Sequence, residues 1–147
     1  MKALAIAETA LFVDDLSRSA AFYRDVLELK QIADWDRLAV FEAGQSQVLL
    51  LFTKGGSLEP ISTPGGMVPP GEADGIMHVA FAVSEDELPD WERRLTENGV
   101  EIESRVNWMK VPWPGPVKRQ SGQSVYFRDP DNHVLEFATP GVWPGSY

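Results

Sequence analysis

The sequence predicts an α+β fold in which two βαβββ modules pack into one partly open barrel around a cavity. Two observations predict it: the same order of strand and helix patterns occurs twice, and a stretch rich in Gly and Pro separates the copies. The chain has 147 residues, 44% of them hydrophobic, which suits one domain with a substantial core. Two equivalent sheets can bury one face each by packing together, with the helices outside.

The first module, about residues 5–54, opens with an apolar strand flanked by charge. Asp15 then suits a helix N-cap, because its carboxylate can accept from the free N–H groups of the first turn. Apolar residues recur after it at helical spacing. This helical stripe comprises Leu16, Ala20, Tyr23 and Leu27. The predicted strands of this module are Ala7–Val13, Lys30–Trp35, Leu38–Ala43 and Gln47–Phe52.

The second module, about residues 76–140, repeats this order. Ser84 and Glu87 have the spacing of a capping box at the start of the helix. Gly99 stands where a helix commonly ends in a left-handed glycine. The buried stripe between them comprises Leu88, Trp91 and Leu95. The predicted strands are Met77–Val83, Val100–Val106, Ser124–Phe127 and His133–Ala138.

Two stretches lack strand or helix periodicity. Residues 55–75 are rich in Gly and Pro and are predicted to form a linker loop. Residues 107–123 contain Trp108, Trp113, three prolines and a basic pair that ends in Arg119. Long loops in compact domains are often functional, and the indoles and basic pair favour a lid or pocket wall. A surface excursion packed by its own tryptophans is an equally weighted alternative.

The composition limits the classes of partner. The formal net charge of −9 disfavours nucleic acid and anionic lipid as partners, because both are negatively charged. The apolar stretches are too short to span a bilayer, and the first residues do not resemble a secretory signal. There is no cysteine, which rules out disulfides and thiolate zinc sites. We therefore expect a soluble, cytoplasmic protein that acts on a small molecule.

The first strand of each module carries a metal-capable residue. Side chains alternate along a strand, so each strand presents two faces. In both strands one face is bulky and apolar, and the other begins with a polar residue followed by mainly small ones, which leave room for a cavity. The polar faces comprise Glu8, Ala10 and Phe12 in the first module and His78, Ala80 and Ala82 in the second.

The last strands of the two modules also correspond, and Glu136 stands where Leu50 stands in the first copy. A pseudo-twofold relation would bring Glu8, Leu50, His78 and Glu136 together. One imidazole and two carboxylates form a mixed N/O ligand set that suits Mn²⁺, Fe²⁺, Ni²⁺ or Zn²⁺. Three ligands with open positions are typical of a catalytic metal site.

Taken one at a time, these residues have ordinary explanations. His78 could be a satisfied core or surface histidine, and Glu8 could be an edge-strand charge. Glu136 could form a salt bridge with Arg128 or Arg119. The matching positions in the two modules are what favour the metal site.

Two further residues lie beside the last strand. Tyr126 is a candidate for the substrate pocket, although it could equally be ordinary strand packing. His133 occupies the turn before the last strand, and we expect it to face solvent.

Three segments resemble one known family. ETALFVDDLSRSAAFYRDVLEL resembles the opening of vicinal oxygen chelate proteins, in which a ligand-bearing strand runs into a helix. GIMHVAFAV resembles the second ligand strand, and SVYFRDPDNHVLEFATPG resembles the closing hairpin. The resemblance spans nearly the whole chain. This superfamily includes glyoxalase I, extradiol dioxygenases, fosfomycin-modifying enzymes and metal-free bleomycin-binding proteins, and it implies the paired βαβββ fold.

The resemblance implies that His78 and Glu136 are metal ligands. Glu8 occupies the place that usually holds His or Gln, which weakens the dioxygenase interpretation. Leu50 occupies the place of an extra carboxylate in glyoxalase I, which argues against that activity. Glu28 stands where Gly is usual after the helix. The remaining pattern is closest to the three-ligand arrangement of the fosfomycin-modifying enzymes.

Two functions from different classes follow. The first is a metal-dependent enzyme, a lyase, isomerase, epoxide-opening transferase or dioxygenase, in which the metal acts as a Lewis acid on adjacent substrate oxygens and Glu8 is a candidate base. The second is a metal-free binding protein of the bleomycin-resistance kind. The candidate substrate-binding residues are Trp108, Trp113, Arg119 and Tyr126. The resemblance also implies a homodimer in which Glu8 of one chain meets His78 and Glu136 of the other.

Overall fold

The computed structural model of the chain describes residue 3 and residues 5–108 and 121–143. The chain divides into two compact units, Met1–Gly75 and Ile76–Tyr147. Each unit contains a four-stranded mixed sheet with a helix packed on one of its faces. The βαβββ order therefore occurs twice, and the predicted α+β fold class is confirmed.

The elements of the first unit are β1 (Glu8–Val13), α1 (Leu16–Ala21), β2 (Gln31–Trp35), β3 (Leu38–Glu42) and β4 (Val48–Thr53). The sheet order is β1-β4-β3-β2, so β1 and β2 are the outer strands. β1 is parallel to β4 and the other pairs are antiparallel. The helix α1 continues directly into a π-helical segment at Phe22–Val26.

The first helix begins where the sequence predicts. Asp15 is its N-cap, and its carboxylate accepts from the N–H of Arg18 at 3.0 Å. Three residues of the predicted apolar stripe, Ala20, Tyr23 and Leu27, are buried, and Leu16 is half-buried. The Tyr23 ring lies 6.1 Å from that of Phe41. Burial of such a ring removes well over 100 Å² from water, so this stripe contributes much of the stability of the unit.

The stretch predicted as a linker loop contains a short hairpin, formed by β5 (Ile61–Thr63) and β6 (Gly66–Val68). The sequence analysis did not predict these two strands within the linker loop. All six strand residues are exposed, so the hairpin has no alternation of buried and exposed side chains that a sequence pattern could reveal.

The second unit repeats the arrangement. Its elements are β7 (His78–Ala82), α2 (Leu88–Glu97), β8 (Ile102–Asn107), β9 (Gln123–Arg128) and β10 (Val134–Ala138). The sheet order is β7-β10-β9-β8, with β7 parallel to β10 and the other pairs antiparallel. On the helix side, the ring of Trp91 lies 5.0 Å from that of Phe137.

The second helix begins slightly later than the capping box suggests. The N–H of Glu87 donates to the hydroxyl of Ser84 at 3.3 Å, and that hydroxyl donates to the Glu87 carboxylate at 2.7 Å. These bonds close a turn before the helix, and Glu87 rather than Ser84 is the N-cap. Gly99 has a φ of 73° and ends the helix as predicted.

The register of the two parallel strand pairs makes the modules equivalent residue by residue. Glu8 pairs with Val48 in the first unit, and His78 pairs with Val134 in the second. Leu50 and Glu136 each lie two residues further along the closing strand. Glu8 thus corresponds to His78, and Leu50 corresponds to Glu136.

All eight strands predicted from the sequence are present, with their ends within two residues of the predicted ones. In the part of the chain that the structure describes, no helix combines the length and the apolar composition that crossing a bilayer requires.

Glu28 tests the cost of a side chain at a position that favours glycine. It has a φ of 55°, and the next residue, Leu29, donates its N–H to the carbonyl of Tyr23 at 3.0 Å. We expect Glu28→Gly to raise the free energy of unfolding by about 0.5–1 kcal/mol, because the left-handed conformation costs a residue with a Cβ more than glycine loses in chain entropy. Urea denaturation measures this change. Glu28→Ala removes the same carboxylate but keeps the Cβ, so equal stabilities of the two variants would contradict the explanation.

Candidate metal centre

Four polar or aromatic side chains lie on one face of the second sheet. Glu136 pairs with Tyr126 on one side and with Ala80 on the other, so these three share a face. His78 lies two residues before Ala80 and Ser124 lies two residues before Tyr126, which places both on the same face. The opposite face packs against α2.

The carboxylate of Glu136 is the buried centre of this group. Its side chain is 6% exposed. The hydroxyl of Ser124, which is fully buried, donates to Oε1. Nε2 of His78 lies 3.1 Å from Oε2. A buried carboxylate needs such partners, since an unpaired charge in this environment is very costly.

The imidazole of His78 connects this buried carboxylate to open space. Its side chain is 52% exposed, and the two residues that follow it on the same face, Ala80 and Ala82, are exposed alanines. These side chains are small, so they add little bulk to this face beside the pair. The ring of Tyr126 lies 6.0 Å from that of His78.

Of the two arginines considered as salt-bridge partners of Glu136, Arg128 pairs with another carboxylate and Arg119 lies outside the described residues. Nε of Arg128 lies 2.9 Å from Oε1 of Glu103, and the same guanidinium donates to the carbonyl of Asn132 at 3.0 Å. Glu136 instead has Ser124 and His78 as its recorded partners. The carboxylate is therefore bound to an uncharged donor and an imidazole.

Trp108, a candidate substrate-binding residue, contributes to the same network through its indole nitrogen. Its indole N–H donates to the Ser124 hydroxyl at 2.7 Å. Trp113 and Arg119, the other loop residues predicted to bind substrate, lie outside the described residues.

Glu8 belongs to the first unit, whereas His78 and Glu136 belong to the second. Glu8 is exposed and begins β1. Across residue 3 and residues 5–108 and 121–143, no three His, Asp or Glu side chains lie together as a metal-binding group. The structure thus brings together two of the three predicted ligands.

His133 corrects an expectation from the sequence. It was expected to face solvent, but it is 1% exposed. Its Nδ1 accepts from the backbone N–H of Met77 at 3.1 Å, and its backbone N–H donates to the Asp129 carboxylate at 2.8 Å. The bond to Met77 fixes the backbone at the residue before His78, from a position 56 residues away along the chain.

Ser124 is the site residue that the sequence analysis did not select. A signal was available: Ser124 and Tyr126 alternate along the strand that precedes the Glu136 strand, so a small polar residue faces the same side as the carboxylate. Serine is too common on strands for this pattern alone to indicate a partner.

The donor set fits a divalent cation. Two ligands at right angles, each about 2.1 Å from one ion, lie about 3.0 Å apart. Nε2 of His78 and Oε2 of Glu136 are 3.1 Å apart. Imidazole and carboxylate suit the borderline divalent ions of the first transition row.

Residues 5–137 match the model of a family described as the Glyoxalase/Bleomycin resistance protein/Dioxygenase superfamily. A metallothiol transferase FosB of Bacillus licheniformis is 29% identical over 144 residues, which are 97% of this chain and 79% of that protein. A glutathione transferase FosA of Serratia marcescens is 32% identical over 126 residues, 86% of this chain and 74% of that protein.

A solved structure is similar over nearly the same length. The crystal structure of a lactoylglutathione lyase from Agrobacterium tumefaciens matches with a TM-score of 0.79 and 29% identity. The match covers 98% of this chain and 99% of that one.

The bond between His133 and Met77 can be tested through stability. We expect His133→Leu to lower the free energy of unfolding by about 1–3 kcal/mol, because the N–H of Met77 loses its acceptor in a partly buried place. His133→Asn should cost less, since its Oδ1 can take the position of Nδ1. Thermal or urea denaturation compares the two variants, and a loss as large for Asn as for Leu would show that packing, not this bond, is what matters.

Proposed function

This chain belongs to the Glyoxalase/Bleomycin resistance protein/Dioxygenase superfamily, and from that premise we propose that it is a metal-dependent transferase that adds a thiol to a small substrate bearing adjacent oxygens. The observation that carries this proposal is the contact between His78 and Glu136, with Nε2 and Oε2 3.1 Å apart at the edge of an open face. Two of its relatives are a glutathione transferase and a metallothiol transferase, which favours thiol transfer over the other reactions of the family.

We propose Glu8 as the third ligand. It holds the position in β1 that His78 holds in β7, so a pseudo-twofold arrangement would use both residues in the same way. Leu50 holds the position of Glu136 and has no donor atom. The first module therefore offers one ligand and the second offers two, which leaves open positions for the oxygens of a substrate.

Each residue of the site has a distinct part in this reaction. When bound, the divalent cation supplies Lewis acidity at the two substrate oxygens. His78 and Glu136 would hold it on the face of the sheet that also carries Ala80 and Ala82. The Tyr126 ring provides an apolar wall for the substrate, and Glu8 is the candidate base for the thiol proton.

The two loop residues have a proposed part as well. Arg119 would pair with an anionic group of the substrate, and the indole of Trp113 would cover its apolar part. Both assignments rest on the residue types and their place in the sequence.

Metal binding is the direct test. We expect the wild-type protein to bind one Mn²⁺, Ni²⁺ or Zn²⁺ ion per chain in calorimetric titration. His78→Ala and Glu136→Gln should weaken this binding by more than about 100-fold, since even residues that only support a ligand are worth about 10–100-fold. Glu103→Gln is the matched control, because it neutralises a carboxylate of the same sheet that pairs with Arg128, and it should bind as the wild type does.

Turnover completes this test. The metal-loaded protein should convert fosfomycin, an epoxide with a neighbouring oxyanion, to a thioether adduct in the presence of glutathione, as followed by mass spectrometry. The His78→Ala variant should form no adduct. A wild-type protein that binds no metal but retains an intact drug tightly would contradict the enzyme and support a binding protein.

Whether Glu8 comes from a partner subunit can be decided by mixing variants. In a homodimer with shared sites, Glu8→Ala and His78→Ala chains complement each other, because one of the two sites in each mixed dimer has all its ligands. We expect random mixing to restore about a quarter of the wild-type metal sites. If each site lies within a single chain, mixing restores none, and sedimentation of the mixture confirms that dimers have formed.

A further inference from the structure

Three side chains of the second unit form a hydrogen-bonded series that ends on the proposed metal ligand. The indole N–H of Trp108 donates to Oγ of Ser124 at 2.7 Å. The hydroxyl of Ser124 donates to Oε1 of Glu136. We call this series the Trp108–Ser124–Glu136 relay.

The chemistry of the three groups gives the relay one direction. An indole nitrogen can only donate, so Ser124 must accept from Trp108. A hydroxyl has a single hydrogen, and with its oxygen already accepting, that hydrogen is directed to the carboxylate. Both bonds of the relay therefore point towards Oε1 of Glu136.

Burial makes this arrangement specific. Ser124 is fully buried and the Glu136 side chain is 6% exposed. A hydrogen bond to a charged group in such a place is worth more than one in water, and leaving either partner unsatisfied costs about 1–3 kcal/mol. The hydroxyl therefore has little freedom to turn elsewhere.

The relay also divides the two carboxylate oxygens. Oε1 is occupied by Ser124, whereas Oε2 faces Nε2 of His78. A cation placed beside the imidazole meets one oxygen of Glu136, because the other is already committed. The carboxylate is thus set up to bind through a single oxygen.

The backbone holds the first member of the relay in place. The backbone N–H of Trp108 donates to the carbonyl of Gly122 at 3.1 Å. This bond links the residue after β8 to the residue before β9. Ser124 follows two residues later on β9. The indole and the hydroxyl are thereby attached to neighbouring, paired strands.

We propose that Ser124 is a positioning residue that fixes Glu136 as a one-oxygen metal ligand, and that Trp108 fixes the direction of the Ser124 hydroxyl. This inference rests on the proposed function, because it assigns a role to residues that do not themselves touch the metal. It goes beyond that function in placing metal affinity partly under the control of an indole N–H.

Metal titration of relay variants is the first part of the test. Ser124→Ala should weaken Zn²⁺ binding by about 10–100-fold, the usual effect of losing a group that orients a ligand. Trp108→Phe should give a smaller loss, and Ser124→Thr, which keeps a hydroxyl, should restore most of the affinity. Ser104→Ala is the matched control, because Ser104 is an exposed serine opposite Tyr126 on the next strand and lies outside the relay.

Nuclear magnetic resonance of the indole N–H groups is the second part, and a merely structural role for Ser124 would not affect it in the same way. Comparison with Trp108→Phe assigns the Trp108 signal among the five tryptophans. In the metal-free protein this signal should shift in Glu136→Gln, two hydrogen bonds away, and it should shift again when Zn²⁺ is added to the wild type. Both responses should disappear in Ser124→Ala, while Trp35→Phe leaves them unchanged.

The outcomes separate the two proposals. If the wild type binds Zn²⁺ and Ser124→Ala binds it equally well, the positioning role is wrong and the proposed function stands. The same conclusion holds if the Trp108 signal responds to Zn²⁺ without the Ser124 hydroxyl. If the wild type binds none of the metals, the proposed function fails and the positioning role fails with it.

Discussion

The burial of one carboxylate is the constraint on which the second module depends. Glu136 lies between Leu135 and Phe137, which both face the core, and its side chain is 6% exposed. An ionised group can remain there only with partners of suitable charge or polarity. Ser124 and His78 are those partners, and their positions determine which face of the sheet is polar and where that face opens.

The duplicated architecture separates stability from chemistry. In each unit the helix covers one face of the sheet, and most of the large side chains of the core lie on that face. The other face differs between the units: Leu50 occupies the position that Glu136 occupies in the second, and Glu8 the position of His78. The same ladder of hydrogen bonds thus carries Glu8 and Leu50 in one unit and His78 and Glu136 in the other, because the backbone register does not depend on which side chains point outward.

Much of the fold could be predicted from the sequence, because its signals are local. Alternation along the strands, the Asp15 cap and the left-handed Gly99 all act within a few residues and were all found in the structure. The hairpin formed by β5 and β6 was missed, since its exposed residues carry no such alternation. The burial of His133 was missed because its partner, the N–H of Met77, lies 56 residues away.

By itself, the sequence determined the order of the elements, the two faces of each strand and the correspondence between the modules, since periodicity and residue type are sufficient for these. Only the tertiary structure decided that Glu136 pairs with His78 rather than with Arg128, that Ser124 donates to Glu136, and that Trp108 donates to Ser124. Hydrogen bonds need atoms within about 3 Å and aligned. Strand pairing decides which side chains from distant parts of the chain reach that distance, and no local pattern carries that information.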